Sequence, residues 1–362
     1  MLLISDPEVR QVLTLPDCIE AMERAFSEEA RGIAVNRPRT RYKVPSDLDK
    51  PGYMANIIAG AVPSSGVAAL RYDSSIVQEK VVAGTRRMDF PSPVKRSWGF
   101  VLLFGLETGA PLALIHDFSL SAIRVGATTG IAHRALAKKD AKVVGIFGSG
   151  NEARTNLAAI CCVRSIEKIK VYSPTKEHRD RFAREMTESL KVDVQPVDNP
   201  DAVVGGSDIV MCATNSSQPV FDGNWLEPGQ FVTTIANTDG VHRRSEADAV
   251  TMIRSDFIVL NNKETAISNQ QRELLDLIDQ GQIGWNKVCE LGQVLIGSHP
   301  GRTSDRQIIY YKSNTGVGIQ FAAAGALIYE ACRKEGLGRE LPTEWFGTDL
   351  SEWVDKGFMP SP

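Results

Sequence analysis

Lys142-Val-Val-Gly-Ile-Phe147 runs at once into Gly148-Ser149-Gly150-Asn151-Glu152-Ala153, near the middle of a 362-residue chain. An apolar, β-branched run, then glycines, then the apolar stretch Asn156–Val163 reads as strand, tight turn and helix. The first glycine permits the turn, the second lets the backbone approach a diphosphate, and Ala153 is small enough for the helix to pack on the strand. Free N–H groups at a helix start attract anions, so Gly148, Ser149, Gly150, Asn151, Glu152 and Ala153 are expected to hold a dinucleotide.

A second strand, Ile169–Tyr172, should end near the adenosine ribose, where an acidic residue would bind the hydroxyl pair of NAD. None is there. Ser173, Thr175, Lys176 and, one helical turn on, Arg179 stand in its place, and hydroxyls with cations suit a ribose 2′-phosphate. The expected coenzyme is therefore NADP(H) ahead of NAD(H), which stays possible. The alternative reading of Lys176 and Arg179 is that both are solvated charges at a helix start.

Length and a hydrophobic content of 43% allow two ordinary cores. A formal net charge of −3 and only short cation pairs argue against a nucleic-acid partner. No apolar run has the length to span a bilayer, and the first residues, Met1 to Asp6, lack the basic start and apolar core of a signal peptide, so no membrane partner and a cytoplasmic location are expected. The six scattered cysteines form no Cys-x-x-Cys pair and have no histidine at ligand spacing, which predicts reduced thiols and no metal.

Because the glycine turn lies mid-chain, the nucleotide domain must be inserted into another. The expected fold is α/β, a Rossmann-type doubly wound parallel sheet inserted into a discontinuous α+β substrate and dimerisation domain: residues 1–122 with 310–362 for the latter and 123–309 for the former. Residues 17–30 have helical spacing, residues 67–70 and 100–104 read as strands, and residues 118–139 as one helix capped by Ser119 or Ser121. Beyond the turn, strand and helix signals alternate through Val192–Val197, Ser207–Ala213, Phe231–Ile235 and Asp256–Leu260, with a short strand at Ile308–Tyr311 and an alanine-rich helix at Gly318–Lys334. Ligands bind beyond the carboxyl ends of such strands, which brings Thr214 and Asn237 to the nicotinamide edge.

Several separated segments together resemble the ornithine cyclodeaminase and mu-crystallin family: Gly99–Phe104, Thr108–Ala113, Leu120–Arg124, Gly126–Thr129, the glycine turn, Tyr311-Lys-Ser-Asn314 leading into Ala322–Glu330, and Gly336-Leu-Gly338. The resemblance implies a homodimer, a nicotinamide coenzyme and an active site in the cleft between domains. Known relatives include cyclodeaminases, amino-acid dehydrogenases, imine and ketimine reductases, and a hormone binder, so the resemblance transfers fold and coenzyme but not reaction.

Under the resemblance Arg39 and Arg124 fall where the family grips a substrate carboxylate, which suits the fork of a guanidinium; the plain alternative is an ion pair for each. Lys312 joins them as a substrate contact. Arg71 stands where typical members carry a lysine that assists proton transfer, and arginine stays protonated, so it can stabilise charge but cannot act as a base. Asp239, with His242 behind it, is the candidate for the family's aspartate near the reacting carbon. Three reactions remain: reduction of an imine or oxidation of an amino acid, on a small carboxylate-bearing substrate; cyclodeamination, which the loss of the lysine and the NADP-like strand end disfavour; and binding of NADPH and a ligand without turnover.

Overall fold

The computed structural model describes residues 1–44, 50–82, 85–89, 97–237, 244–314 and 316–350. The chain opens with strand β1 (Leu2–Ile4) and helices α1 (Asp6–Val12) and α2 (Leu15–Ala30), then builds β2 (Val35–Val44), β3 (Gly52–Val62), β4 (Val67–Val82), β5 (Thr85–Asp89), β6 (Ser97–Gly105) and β7 (Pro111–His116). With β16 (Arg339–Glu340) these form a mixed sheet of order β16-β1-β7-β6-β4-β3-β2, β5 pairing with β4. Only the β1–β7 pair is parallel.

Helix α3 (Phe118–Leu136) carries the chain into the second sheet. It starts after Asp117, ahead of Ser119 and Ser121, because the Asp117 main chain already accepts from Ser121 N. His133 ties α3 to that sheet: Nδ1 meets Thr129 O at 2.8 Å, and the ring stands edge-on to Phe231 at 4.8 Å. Burial pulls its pKa down to about 3, so it is a neutral packing residue.

The second sheet holds β8 (Val143–Phe147), β9 (Lys168–Tyr172), β10 (Asp193–Pro196), β11 (Ile209–Cys212), β12 (Phe231–Thr234), β13 (Phe257–Leu260), β14 (Val288–Glu290) and β15 (Ile309–Lys312). All are parallel, in the order β10-β9-β8-β11-β12-β15-β13-β14. Strands β11, β12, β13 and β15 are buried at every residue, as continuous apolar runs require when helices cover both faces. Alternate residues serve two cores. Val144, Ile146, Ile209, Met211 and Tyr311 join α2, α3 and α4 (Asn151–Val163), whereas Phe147, Val210, Cys212, Ile258 and Tyr310 face the other way, toward α6 (Asp201–Val204), α7 (Ala249–Arg254), α8 (Lys263–Ser268) and α9 (Arg272–Asp279). Helix α5 (Lys176–Leu190) packs on β9 and β10, and α10 (Leu291–Leu295) on α2. This is the doubly wound architecture expected from the alternating pattern.

The expected limits 122/123 and 309/310 fall inside α3 and β15. Strand β15 pairs with β12 on one side and β13 on the other, so residues 309–312 belong to the parallel sheet. From there α11 (Gly318–Glu335) crosses back and packs on β3 and β4 beside α2. The other face of the mixed sheet is exposed along Tyr42, Val44 (60% exposed), Ile76, Trp98 (62%) and Phe100.

Candidate active site

The turn between β8 and α4 has the shape its residues predict. Gly148 has φ +107°, and a Cβ there would stand 2.2 Å from Ala213 O, so only glycine fits. Gly150 caps α4 at φ −88°, and a Cβ would meet nothing within 4 Å: the space in front of it is the cleft itself. Ala153 is fully buried against the core. A cleft of about 900 Å³ runs past Gly148 to Glu152, the end of β9 at Ser173 and Thr175, and Thr214 after β11. An anion-seeking helix start, an open glycine cradle and a long cleft fit a dinucleotide.

At the adenosine end, Ser149 Oγ bonds Ser173 Oγ at 3.2 Å, and His178 lines the wall. The two expected cations are both engaged. Lys176 pairs with Asp180 at 2.6 Å, one turn along α5. Arg179 is buried, donates to Ser173 O at 3.2 Å and forms an ion pair with the exposed Asp198.

At the other end, the buried Glu246 draws two loops together. Its carboxylate accepts from Thr214 N (2.6 Å), Thr214 Oγ1 (2.8 Å), Ile235 N (2.9 Å) and Ala236 N (2.7 Å), which joins the ends of β11 and β12. Burial pushes its pKa up against the pull of those donors. Asn237 donates to Ile235 O (2.9 Å) and Ser313 O (3.1 Å), fixing the loop beside β15. Arg244 lines the cleft here. Asp239 and His242 lie outside the described residues.

A polar network crosses the helix-covered face of the mixed sheet toward the same place. Arg41 Nε donates to Asn56 Oδ1 (2.6 Å), Asn56 Nδ2 to Asp73 Oδ2 (3.2 Å), and Arg71 donates to Asp73 Oδ1 (2.8 Å) and Asp117 Oδ2 (2.8 Å). Arg71 is thus held by two carboxylates, an arrangement that keeps it charged and aligned. Arg39 reaches the cluster from a bulge: the β2–β3 register shifts between Arg37 and Thr40, and Pro38 interrupts the ladder. Burial, then the charge of Arg71, lowers the pKa of Arg39 to about 10.

Arg124 differs from its neighbours. It is buried on α3, stacks 4.6 Å from the Phe321 ring centroid, and donates through one terminal nitrogen to Gln320 Oε1 at 2.9 Å. Its Nε has no partner and it makes no ion pair among the described residues. Burial first, then Arg71, brings its pKa down to about 10, so it remains charged at neutral pH. A second cleft, adjoining the first at Asn151 and Glu152, is lined by Arg71 and Asp117.

The structure therefore brings Arg39 and Arg124 each within charge range of Arg71, and Arg71 lines a cleft that meets the glycine turn at Asn151 and Glu152. It carries Lys312 elsewhere: the side chain is 1% exposed, ion-paired with Glu273, and donates to Ala236 O at 3.2 Å. Tyr72, next to Arg71, points to the opposite sheet face, where its hydroxyl meets those of Tyr42 (2.8 Å) and Tyr53 (2.5 Å). Sequence reasoning missed Glu246, Asp73, Asp117 and Gln320. Glu246, Asp117 and Gln320 act through partners on distant elements, which no spacing signals; Asp73 pairs with Arg71 on its own strand and, through Asn56, with the next. Among the described residues no three metal-type side chains converge, and the six cysteines are unpaired.

The model of the ornithine cyclodeaminase/mu-crystallin family matches residues 1–336. A Delta(1)-pyrroline-2-carboxylate reductase of Bacillus cereus is 26% identical over 342 residues, covering 94% of this chain and 99% of that protein. An alanine dehydrogenase of Archaeoglobus fulgidus is 27% identical over 342 residues, covering 94% and 98%. Among solved structures, the Thermococcus litoralis Delta(1)-pyrroline-2-carboxylate reductase in complex with NADH and L-proline is 29% identical and covers 94% of this chain and 100% of its own, with a TM-score of 0.83.

Proposed function

The chain belongs to the ornithine cyclodeaminase/mu-crystallin family, and from that premise we propose that it is a nicotinamide-dependent oxidoreductase that reduces the C=N bond of a small imine bearing a carboxylate. The observation that carries this reading is Arg124: a buried, charged guanidinium with no ion-pair partner among the described residues, near Arg71 and Glu152, which line the cleft beside the glycine turn. An unpaired buried cation costs several kcal/mol or so, and a substrate carboxylate would supply the missing charge in bidentate form.

Arg39, turned inward by its bulge, is the second carboxylate contact, as the resemblance implies. Arg71, clamped by Asp73 and Asp117, adds fixed positive potential beside the reacting atoms and holds Arg124's surroundings in place; it transfers no proton. When bound, the coenzyme supplies hydride from its nicotinamide. The chain holds the diphosphate on the N–H groups of the Gly148–Ala153 turn, with Thr214 and Asn237 at the nicotinamide edge. The relatives named as pyrroline carboxylate reductases support a cyclic imino acid as first choice of substrate.

NADP(H) is the preferred coenzyme in this reading, with NAD(H) competent. The absence of a carboxylate from the cleft wall at Tyr172, Ser173, Pro174, Thr175 and His178 supports it. The Arg179–Asp198 pair favours the second coenzyme, since Arg179 must leave Asp198 to meet a 2′-phosphate. The protein acts as a homodimer, supported by the exposed apolar sheet face of Tyr42, Val44, Ile76, Trp98 and Phe100. A cytoplasmic site of action is supported by six unpaired cysteines and by the lack of a helix, among the described residues, long and apolar enough to cross a membrane.

The test is to mix the purified protein with NADPH or NADH and Delta(1)-pyrroline-2-carboxylate, or with α-keto acids plus ammonia or amines, and follow absorbance. Coenzyme oxidation is expected. Ammonia release from ornithine without net oxidation would mean cyclodeamination instead, and tight coenzyme binding with no turnover on the whole panel would mean a binding protein.

A further inference from the structure

We propose that Glu152 is the proton donor of this reaction, delivering to the substrate nitrogen the proton it takes up as the neighbouring carbon receives hydride; the proposal rests on the imine-reductase reading above. Glu152 is the second residue of α4, inside the glycine turn, and it lines both the dinucleotide cleft and the adjoining cleft of Arg71 and Asp117. Its Oε2 is buried and has no hydrogen-bond partner among the described residues. Buried side-chain oxygens are nearly always paired, so an orphan in the wall shared by two clefts calls for a partner that arrives with the substrate.

Its surroundings raise its affinity for a proton. Burial is the main influence and raises the Glu152 pKa, while the charge of Arg124 lowers it by less. A diphosphate on the same turn adds negative charge and pushes further in the same direction. The other charged and titratable groups around it are Arg10 on α1, Arg71 on β4, His116 and Asp117 before α3, Arg154 on its own helix, and His178 and Arg244 across the dinucleotide cleft. Arg10 pairs with Asp6, Arg71 with Asp73 and Asp117, and Arg154 with Glu185, and Arg124 is the cation whose charge acts on Glu152.

The step balances. Hydride adds to the C=N carbon, the π electron pair moves to nitrogen, nitrogen takes the Glu152 proton, and the resulting carboxylate is reprotonated from water; the coenzyme leaves oxidised. Glu152 offers what Arg71 cannot: an acid able to give up its proton, close to Arg124, the residue read as gripping the carboxylate.

The decisive variants are Glu152→Gln, which keeps size and polarity, and Glu152→Asp, which keeps the acid. In the protein without coenzyme, the infrared difference between wild type and Glu152→Gln at neutral pH should show a protonated-carboxyl band that moves on glutamate 13C labelling. In single turnovers with NADPH and Delta(1)-pyrroline-2-carboxylate, Glu152→Gln should be slower by about 100-fold or more, the range for lost acid catalysis, with NADPH affinity kept within about threefold. Wild-type rate should fall as pH rises and the acid ionises; Glu152→Gln should lose that limb and Glu152→Asp restore it. Absence of the band, or a Glu152→Gln enzyme with wild-type rate and pH profile, overturns the assignment alone. A wild-type protein that turns over no imine while binding NADPH overturns the reductase reading, and the assignment with it.

Discussion

Gly148 and Gly150 stand two residues apart in one turn, and replacing each by alanine should have opposite consequences. At Gly148 the new Cβ would lie 2.2 Å from Ala213 O, on a backbone at φ +107°. Forcing an L residue into that region costs about 1–3 kcal/mol, and relieving the overlap costs about 1–3 kcal/mol more. Together, roughly 2–6 kcal/mol is a large share of the 5–15 kcal/mol typical of a folded protein. At Gly150 the backbone is ordinary, φ −88°, and the Cβ enters empty cleft. Stability should then change by no more than about 0.5 kcal/mol. The methyl group instead occupies the approach of the diphosphate, and an overlap of about 1–3 kcal/mol weakens the coenzyme by roughly 5- to 150-fold. Urea unfolding reads the first effect and titration calorimetry with NADPH and NADH the second. If Gly150→Ala binds both coenzymes with wild-type affinity, the diphosphate does not rest on this turn; if Gly148→Ala is as stable as wild type, the packing against Ala213 is misjudged.

Arg124→Ala should raise the substrate KM or abolish turnover while the coenzyme still binds, since a charge-assisted hydrogen bond contributes about 1.5–3 kcal/mol; unchanged kinetics would remove it from the site. Arg179→Glu should weaken NADPH far more than NADH, and Asp198→Asn, by releasing Arg179, should shift the ratio toward NADPH; equal effects on both coenzymes would discard the 2′-phosphate argument. Phe100→Glu with Ile76→Glu places charge on the exposed sheet face and should convert a dimer to monomer in sedimentation; an intact dimer would locate the interface elsewhere.

The parts of this molecule that follow from local pattern were readable in advance. Apolar strands, the glycine turn and the alternation of elements specify a doubly wound sheet, because each strand must bury both faces and each helix one. What depends on a distant partner was not. Arg179 has the same spacing whether it meets a phosphate or Asp198, and Lys312 ends a strand whether it faces substrate or Glu273. The carboxylate of Glu246 stitches two loops from a position that looks like any other loop glutamate. The cap of α3 shows the same limit: two serines have the right chemistry, but Asp117, already drawn in by Arg71, sets the start. Arg124 is legible through the resemblance, and its burial without a counter-ion among the described residues supplies the physical reason.

Strand β15 has a consequence for how the chain reaches its native state. Residues 309–312 sit between β12 and β13, although every other strand of that sheet precedes them. During synthesis the ribosome releases the amino-terminal strands first, and until the last few dozen residues emerge the sheet is two pieces, each with a raw apolar edge open to mispairing. A fragment cut at residue 308 inherits both edges permanently and should aggregate, whereas one carried through α11 closes the gap with the same segment that docks on the other sheet. The two cores are thus completed by one late, continuous piece of polypeptide, β15 through α11.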